Sequence, residues 1–193
     1  MKSGGDKQVA KDVWASILEH IEAVSHPIYE SVNPPASENE ITQLENALNV
    51  QLPDAFRRYL SVWNGQHELV PFIGYNSFLP IPDMIETWSM LSDMFEDEDE
   101  MDWVREDRIK PLIWSRKWIP FTEYEGSSHL ILDLDPGVNG SIGQVFKFHS
   151  GMSYEEVIAQ SFEEFSLEIL KRLETNRFTV DDDVIAFDDL YFV

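Results

Sequence analysis

The sequence predicts an α+β fold: one domain with N-terminal helices, a mostly antiparallel twisted sheet and a C-terminal helix packed on that sheet. Three observations point there. Up to Gly65, apolar residues recur at three- and four-residue steps, broken by capping residues and prolines. Between residues 117 and 159 the apolar runs become short, with Gly, Pro and Asp between them. A capped amphipathic stretch then returns at Ser161. At 193 residues and 43% hydrophobic, the chain is large and apolar enough for one full core. No internal repeat or linker divides residues 1–193.

Val9, Val13, Trp14, Ile17, Leu18, Ile21 and Val24 form the stripe of a first helix over 9–24. His26-Pro27 ends it, because the residue before proline is driven out of helical geometry. Residues 28–36, with Pro34-Pro35, read as a connector. Ser37-x-x-Glu40 is a capping box, in which each side chain satisfies an orphan backbone donor. The helix it opens turns Ile41, Leu44, Ala47 and Leu48 inward and closes at Asn49. Pro53 suits the first position of the next helix, whose apolar face is Phe56, Tyr59, Leu60 and Trp63. Asn64-Gly65 reads as its stop, since both residues tolerate a left-handed backbone.

Residues 69–81 suit a strand and loops. From Pro82 a helical pattern runs through Ile85, Trp88, Met90, Leu91, Met94 and Phe95 into a dense acidic run. There, six of the seven positions 96–102 are acidic, and such charges repel one another along a helix, so a loop is expected. Strands are predicted at 117–122, 128–133, 144–148 and 154–159. Ser161-x-x-Glu164 is a second capping box, opening a helix that carries Phe162, Phe165, Leu167, Ile169, Leu170 and Leu173. After Arg177 no basic residue follows, and five aspartates alternate with apolar residues. That apolar content predicts a tail that packs or pairs as an edge strand.

Thirty-six acidic residues face fourteen basic ones, a net charge of −22. A field of that sign repels phosphate backbones and disfavours nucleic acid as a partner. It favours a basic protein partner, mainly by speeding encounter. With no cysteine, disulfides and thiolate metal sites are excluded. Residues 1–7 lack an apolar signal core and no stretch reaches ~20 apolar residues, so a cytoplasmic protein with no membrane role is expected. The sequon at Asn139 then reads as a turn.

Catalytic signatures are missing. There is no Walker loop, Gly-x-Gly-x-x-Gly or Gly-x-Ser-x-Gly. The five histidines show no His-x-x-x-His spacing; His129 and His149 sit on candidate neighbouring strands, where a structural pair is the expectation. Asp133, Asp135 and Asn139 faintly resemble a calcium loop, without the glycine and final glutamate such a loop needs. Their better reading is a strand end and Pro-Gly turn. Tyr59, Trp63, Phe72, Tyr75, Trp88, Trp114 and Trp118 suit a core better than a ligand cleft; Trp103, beside the acidic run, does not. The expectation is a protein that is not an enzyme and takes no cofactor or metal.

Five phrases stand in a fixed order over residues 52–165: Leu52-Pro53-x-x-Phe56-x-x-Tyr59-Leu60-x-x-Trp63-Asn64-Gly65-Gln66, Trp118-Ile119-Pro120-Phe121, Asp133–Gly137, Gly143-Gln144-Val145 and Ser161-Phe162-Glu163-Glu164-Phe165. Together they resemble the SUKH superfamily, which includes cell-wall synthesis regulators of SMI/KNR type and bacterial toxin-immunity proteins. The resemblance spans about residues 25–173 and implies an α+β fold with a sheet groove that receives protein partners, and no catalytic residues. It leaves outside it an acidic insert over 93–107 and an extension over 178–193. It implies an immunity protein that neutralises a cognate toxin, such as a nuclease, with a regulatory scaffold as the alternative. Partner recognition is expected on Asp93, Glu96, Asp97, Glu98, Asp99, Glu100 and Asp102, with Trp103 as an apolar anchor.

Overall fold

The computed structural model describes residues 12–73, 75–95, 107–149, 153–181 and 184–187. The chain opens with helix α1 (Val13–Val24), capped by the Asp12 carboxylate on the Trp14 amide, which buries Trp14, Ile17 and Ile21. A second helix, α2 (His26–Ser31), replaces the expected connector. The break falls at Ser25, and Pro27 sits in the first turn, where a missing N–H costs nothing. Proline here starts a helix more than it ends one.

Helix α3 (Glu38–Leu48) has the complete Ser37/Glu40 capping box and ends on Asn49 with φ 51°. Ile41, Leu44 and Leu48 are buried, whereas Ala47 points to solvent. In α4 (Asp54–Leu60), Pro53 is the N-cap, one position earlier than expected. The helix ends at Leu60, before Asn64-Gly65, and Trp63 is reached through a turn. Strand β1 (Ser77–Phe78) then leads into α5 (Ile81–Met94).

Gly65 is needed for a different reason than helix termination. Its φ is +63°, and a Cβ there would overlap the backbone of Leu79 and Pro80. The close approach lets the Asn64 Oδ1 accept the Ile81 N–H at 3.1 Å, capping α5. Beside it, the Gln66 Oε1 accepts the Phe78 N–H at 2.7 Å, while its Nε2 donates to Ser31 Oγ at 2.8 Å.

Strands β2 (Trp118–Pro120), β4 (Ser128–Asp133), β5 (Gln144–His149) and β6 (Ser153–Ala159) form an antiparallel sheet in the order β2-β4-β5-β6. Strand β3 (Thr122–Glu123) pairs with β1. Along β4 the pleat sends Leu130 and Leu132 to one face and Ile131 to the other. The first face meets α1, α4 and α6 (Phe162–Glu174) through Trp14, Phe56, Tyr59, Phe162, Phe165 and Ile169. The opposite face carries Trp118, Phe146 and Phe148, and is covered by Leu91 of α5 with Ile109 and Trp114. α5 therefore begins in one core, with Ile81 and Met84, and ends in the other.

At α6 the Ser161 hydroxyl accepts the Glu164 amide, as expected, but Glu164 Oε2 accepts from Gln160 N rather than closing the box on Ser161. Leu167, expected inward, is 48% exposed. The tail forms its own hairpin, β7 (Phe178–Asp181) with β8 (Val184–Phe187), instead of adding to the main sheet. It packs through buried Ile185 and a Phe187–Phe72 ring contact.

Trp63 is fully buried, its ring centroid 5.4 Å from that of Trp14, 5.2 Å from Phe72 and 5.1 Å from Phe78. Trp63→Ala should therefore lower unfolding free energy by about 3–5 kcal/mol, the range for truncated core aromatics. Gly65→Val should be at least as harmful, because strain and overlap act together. Urea titration followed by tryptophan fluorescence reads both; wild-type midpoints would show that this segment does not hold the fold.

Candidate partner-binding surface

Of the residues expected to meet a partner, the structure places Asp93: it lies exposed in the last turn of α5. Glu96, Asp97, Glu98, Asp99, Glu100, Asp102 and Trp103 fall outside the described residues. Asp93 has apolar company. Met90 and Met94 are 46% and 57% exposed at helical spacing, and Glu86 continues the same outward stripe. Methionine is a flexible, polarisable side chain suited to adaptable contact surfaces. α5 carries no lysine or arginine, so every charged side chain on it is acidic.

The described residues at both ends of the acidic insert are tied to β5 and the loop that precedes it. On the near side Phe95 packs against Phe148, its ring centroid 6.5 Å away. On the far side the Arg108 carbonyl accepts from Gly137 N at 2.8 Å and from Gln144 Nε2 at 2.7 Å. Asn139 Nδ2 donates to Asp107 Oδ2 at 2.6 Å. A Cβ on Gly137 or Gly140 would overlap the backbone of Asp107 or Arg108, so glycine permits this docking. Phe148 and Gln144 stand at opposite ends of β5, and the insert joins these two places.

The Asp133–Asn139 stretch is occupied structurally. Asp133 is buried; its Oδ1 accepts Asp135 N at 2.9 Å and its Oδ2 accepts Gln144 Nε2 at 2.7 Å. Burial pushes its pKa up to about 6, against the opposing pull of these donors and of the Trp118 indole. Asp135 instead pairs with Lys110 at 2.5 Å. Among the described residues no group of histidines and carboxylates is arranged to hold a metal.

His129 is buried on β4, its Nδ1 2.9 Å from the Thr122 carbonyl, and burial holds its pKa low. It stands beside His149 across the β4–β5 ladder, diagonal rather than paired. Tyr59, Trp63, Phe72, Trp114 and Trp118 are fully buried, while Trp88 is half-buried and donates to the Arg116 carbonyl. Tyr75 alone of the described aromatic candidates is widely exposed, at 50%. Among the described residues, both faces of the four-stranded sheet carry packed side chains, one in each core. No described helix is long and apolar enough to cross a membrane.

The sequence profile of the SMI1/KNR4 family (SUKH-1) matches residues 35–168. The cell wall assembly regulator SMI1 of Saccharomyces cerevisiae is 21% identical over 89% of this chain and 41% of its own length. The glucan synthesis regulatory protein of Neurospora crassa is 22% identical over 88% of this chain and 39% of its own. KNR4/SMI1 homolog 2 of Debaryomyces hansenii is 33% identical over 38% of this chain. The chain thus spans about two fifths of the first two relatives.

The buried carboxylate has a pH consequence. Its folded pKa lies above the unfolded value near 3.9, so the folded state binds the proton more tightly between ~4 and 6. Asp133 therefore contributes stability at low pH that is lost as pH rises through 6, worth about 2–3 kcal/mol. In Asp133→Asn that loss should vanish, so the variant gains on wild type by that amount between pH 4 and 7. Paired denaturation curves read the difference; a pH-independent gap would place an ordinary carboxylate there.

Proposed function

The chain belongs to the SMI1/KNR4 (SUKH-1) family, and on that footing we propose that it is a non-catalytic protein-binding domain serving as a regulatory scaffold. The observation that carries this reading is that both relatives matched over most of the chain are named as regulators, of cell wall assembly and of glucan synthesis. The burial of the motif residues supports it. Trp63, Gln66, Trp118, Asp133 and Gln144 are spent on packing and on hydrogen bonds within the fold. What the described surface offers is acidic and methionine-bearing, suited to a basic protein.

The net charge of −22 also suits a second reading, an immunity-type inhibitor whose carboxylates occupy the basic cleft of one toxin. The two readings differ in stoichiometry and strength. A regulator binds several partners with micromolar constants, whereas an inhibitor binds one partner tightly and abolishes its activity. Isothermal titration with each captured partner separates them.

Two outcomes are expected. First, the purified protein should show no hydrolase or transferase turnover; activity that survives purification and disappears on one carboxylate substitution would overturn the non-catalytic reading. Second, converting Asp93, Glu96, Asp97, Glu98, Asp99, Glu100 and Asp102 to Asn or Gln should slow association with a basic partner and flatten its salt dependence. Folding stability should hardly change. Trp103→Ala should instead raise the dissociation rate. Stopped-flow association at low and high salt reads both constants, and unchanged association would make the acidic run a solvated surface.

A further inference from the structure

An aromatic pair flanks the small β1–β3 sheet. Tyr75 and Tyr124 stack with ring centroids 5.4 Å apart and planes at 28°. Both backbones are held firmly. Asn76 N donates to the Ile73 carbonyl at 3.0 Å, and the buried Asn76 side chain accepts from Thr122 Oγ1 at 3.2 Å. On the other strand Tyr124 N donates to the Ser128 carbonyl at 2.8 Å. The pair is thus pre-organised, and a ligand that uses it pays little ordering entropy.

The Glu125 carboxylate lies beside Tyr124, whose pKa is raised first by desolvation and then by that charge. Glu123 and Glu125 flank Tyr124, and the charges of Glu86 and Glu123 act on Asp83, whose pKa is raised first by partial burial and then by those two neighbours. Glu125 also sits at φ 51°, where Asn or Gly would be at ease. With Gly126 at φ 66° it makes the turn from β3 to β4. A strained glutamate beside a ring stack whose Tyr75 is half exposed is poorly explained by folding alone.

We propose that the Tyr75–Tyr124 stack, with Glu125 beside it and Glu123 next to it on β3, is a docking site for an arginine-bearing segment of a protein partner. The chemistry selects arginine. A planar guanidinium stacks on a tyrosine face and can still present its N–H fork to a carboxylate beside the ring. A lysine ammonium meets the carboxylates but stacks less well. The site rests on the protein-binding reading above and adds a place and a preference to it. It uses none of the residues of the acidic run, so either can fail without the other.

The full chain is titrated with an Arg-Gly repeat peptide and with a Lys-Gly repeat of equal length and charge. Calorimetry gives affinity, and aromatic NMR follows the tyrosine rings. The arginine peptide should bind severalfold tighter and shift the Tyr75 and Tyr124 ring signals. Tyr75→Ala and Tyr124→Ala should lower that affinity about tenfold, while the Phe variants keep it. Equal affinity for the two peptides, or wild-type binding by the alanine variants, would mean attraction by net charge alone and would overturn the site. Glu125→Gly guards against misfolding, since it relieves the positive φ and should melt no lower than wild type. It should still weaken the arginine peptide; retained affinity in this variant also counts against the proposal. Neither result bears on the association kinetics of the insert.

Discussion

The surface of this protein is positioned by the four residues Trp63–Gln66, which tie the helical half to the sheet half. Their polar groups are all directed inward. The Gly65 carbonyl accepts from Asn33 N at 2.9 Å and from the Trp63 indole at 2.5 Å, and the Asn64 carbonyl accepts from Asn33 Nδ2 at 3.1 Å. Losing any one partner would strand a buried group at a cost of about 1–3 kcal/mol. Asn64 also fixes where α5 begins, and so where Met90 and Asp93 emerge. Gln66 fixes β1, whose register with β3 sets Tyr75 near Tyr124. Both candidate surfaces therefore inherit their geometry from a segment that is itself buried.

Local signals in the sequence translated well into structure. A capping box needs only two residues at the right spacing, and Ser37 with Glu40 forms one as read. The left-handed Asn49 is equally local. What escaped was tertiary. Ala47 and Leu167 fit their helical stripes yet face outward, because periodicity sets the angle of a face but not its width. α2 was hidden because proline marks a helix start as readily as a helix end. The second core was invisible: Ile109 and Trp114 lie in a segment without period, and only the pleat of β4 and β5 brings Ile131, Phe146 and Phe148 to meet them.

The candidate site divides the same way. Density of charge made the acidic run easy to read, since six carboxylates in seven positions need no fold to be noticed. Buried Asp133 was not separable from the other acidic residues, because nothing in composition reports desolvation. Nor could spacing pair Tyr75 with Tyr124, which are brought together by a two-residue ladder between β1 and β3. With both sheet faces packed among the described residues, the exposed surface they leave is on helices, loops and edges.

Charge distribution then decides among those. On the helical side, the basic residues are engaged. Arg57 pairs with Glu38 and Glu45 at 2.6 and 2.7 Å, Arg172 and Lys171 with Glu168, and Arg58 with Glu163. Such exposed pairs add little stability, about 0–1 kcal/mol each, but they cancel the field locally. α5 and the β3–β4 turn carry carboxylates and no lysine or arginine of their own, so negative charge collects there. Screening shortens its reach to about 8 Å at physiological salt. A field of that range gathers a basic partner only once it is nearly in contact, and cannot hold it there for long. Retention then falls to uncharged contact area, and the exposed Met90, Met94 and Tyr75 are where that area lies beside the carboxylates.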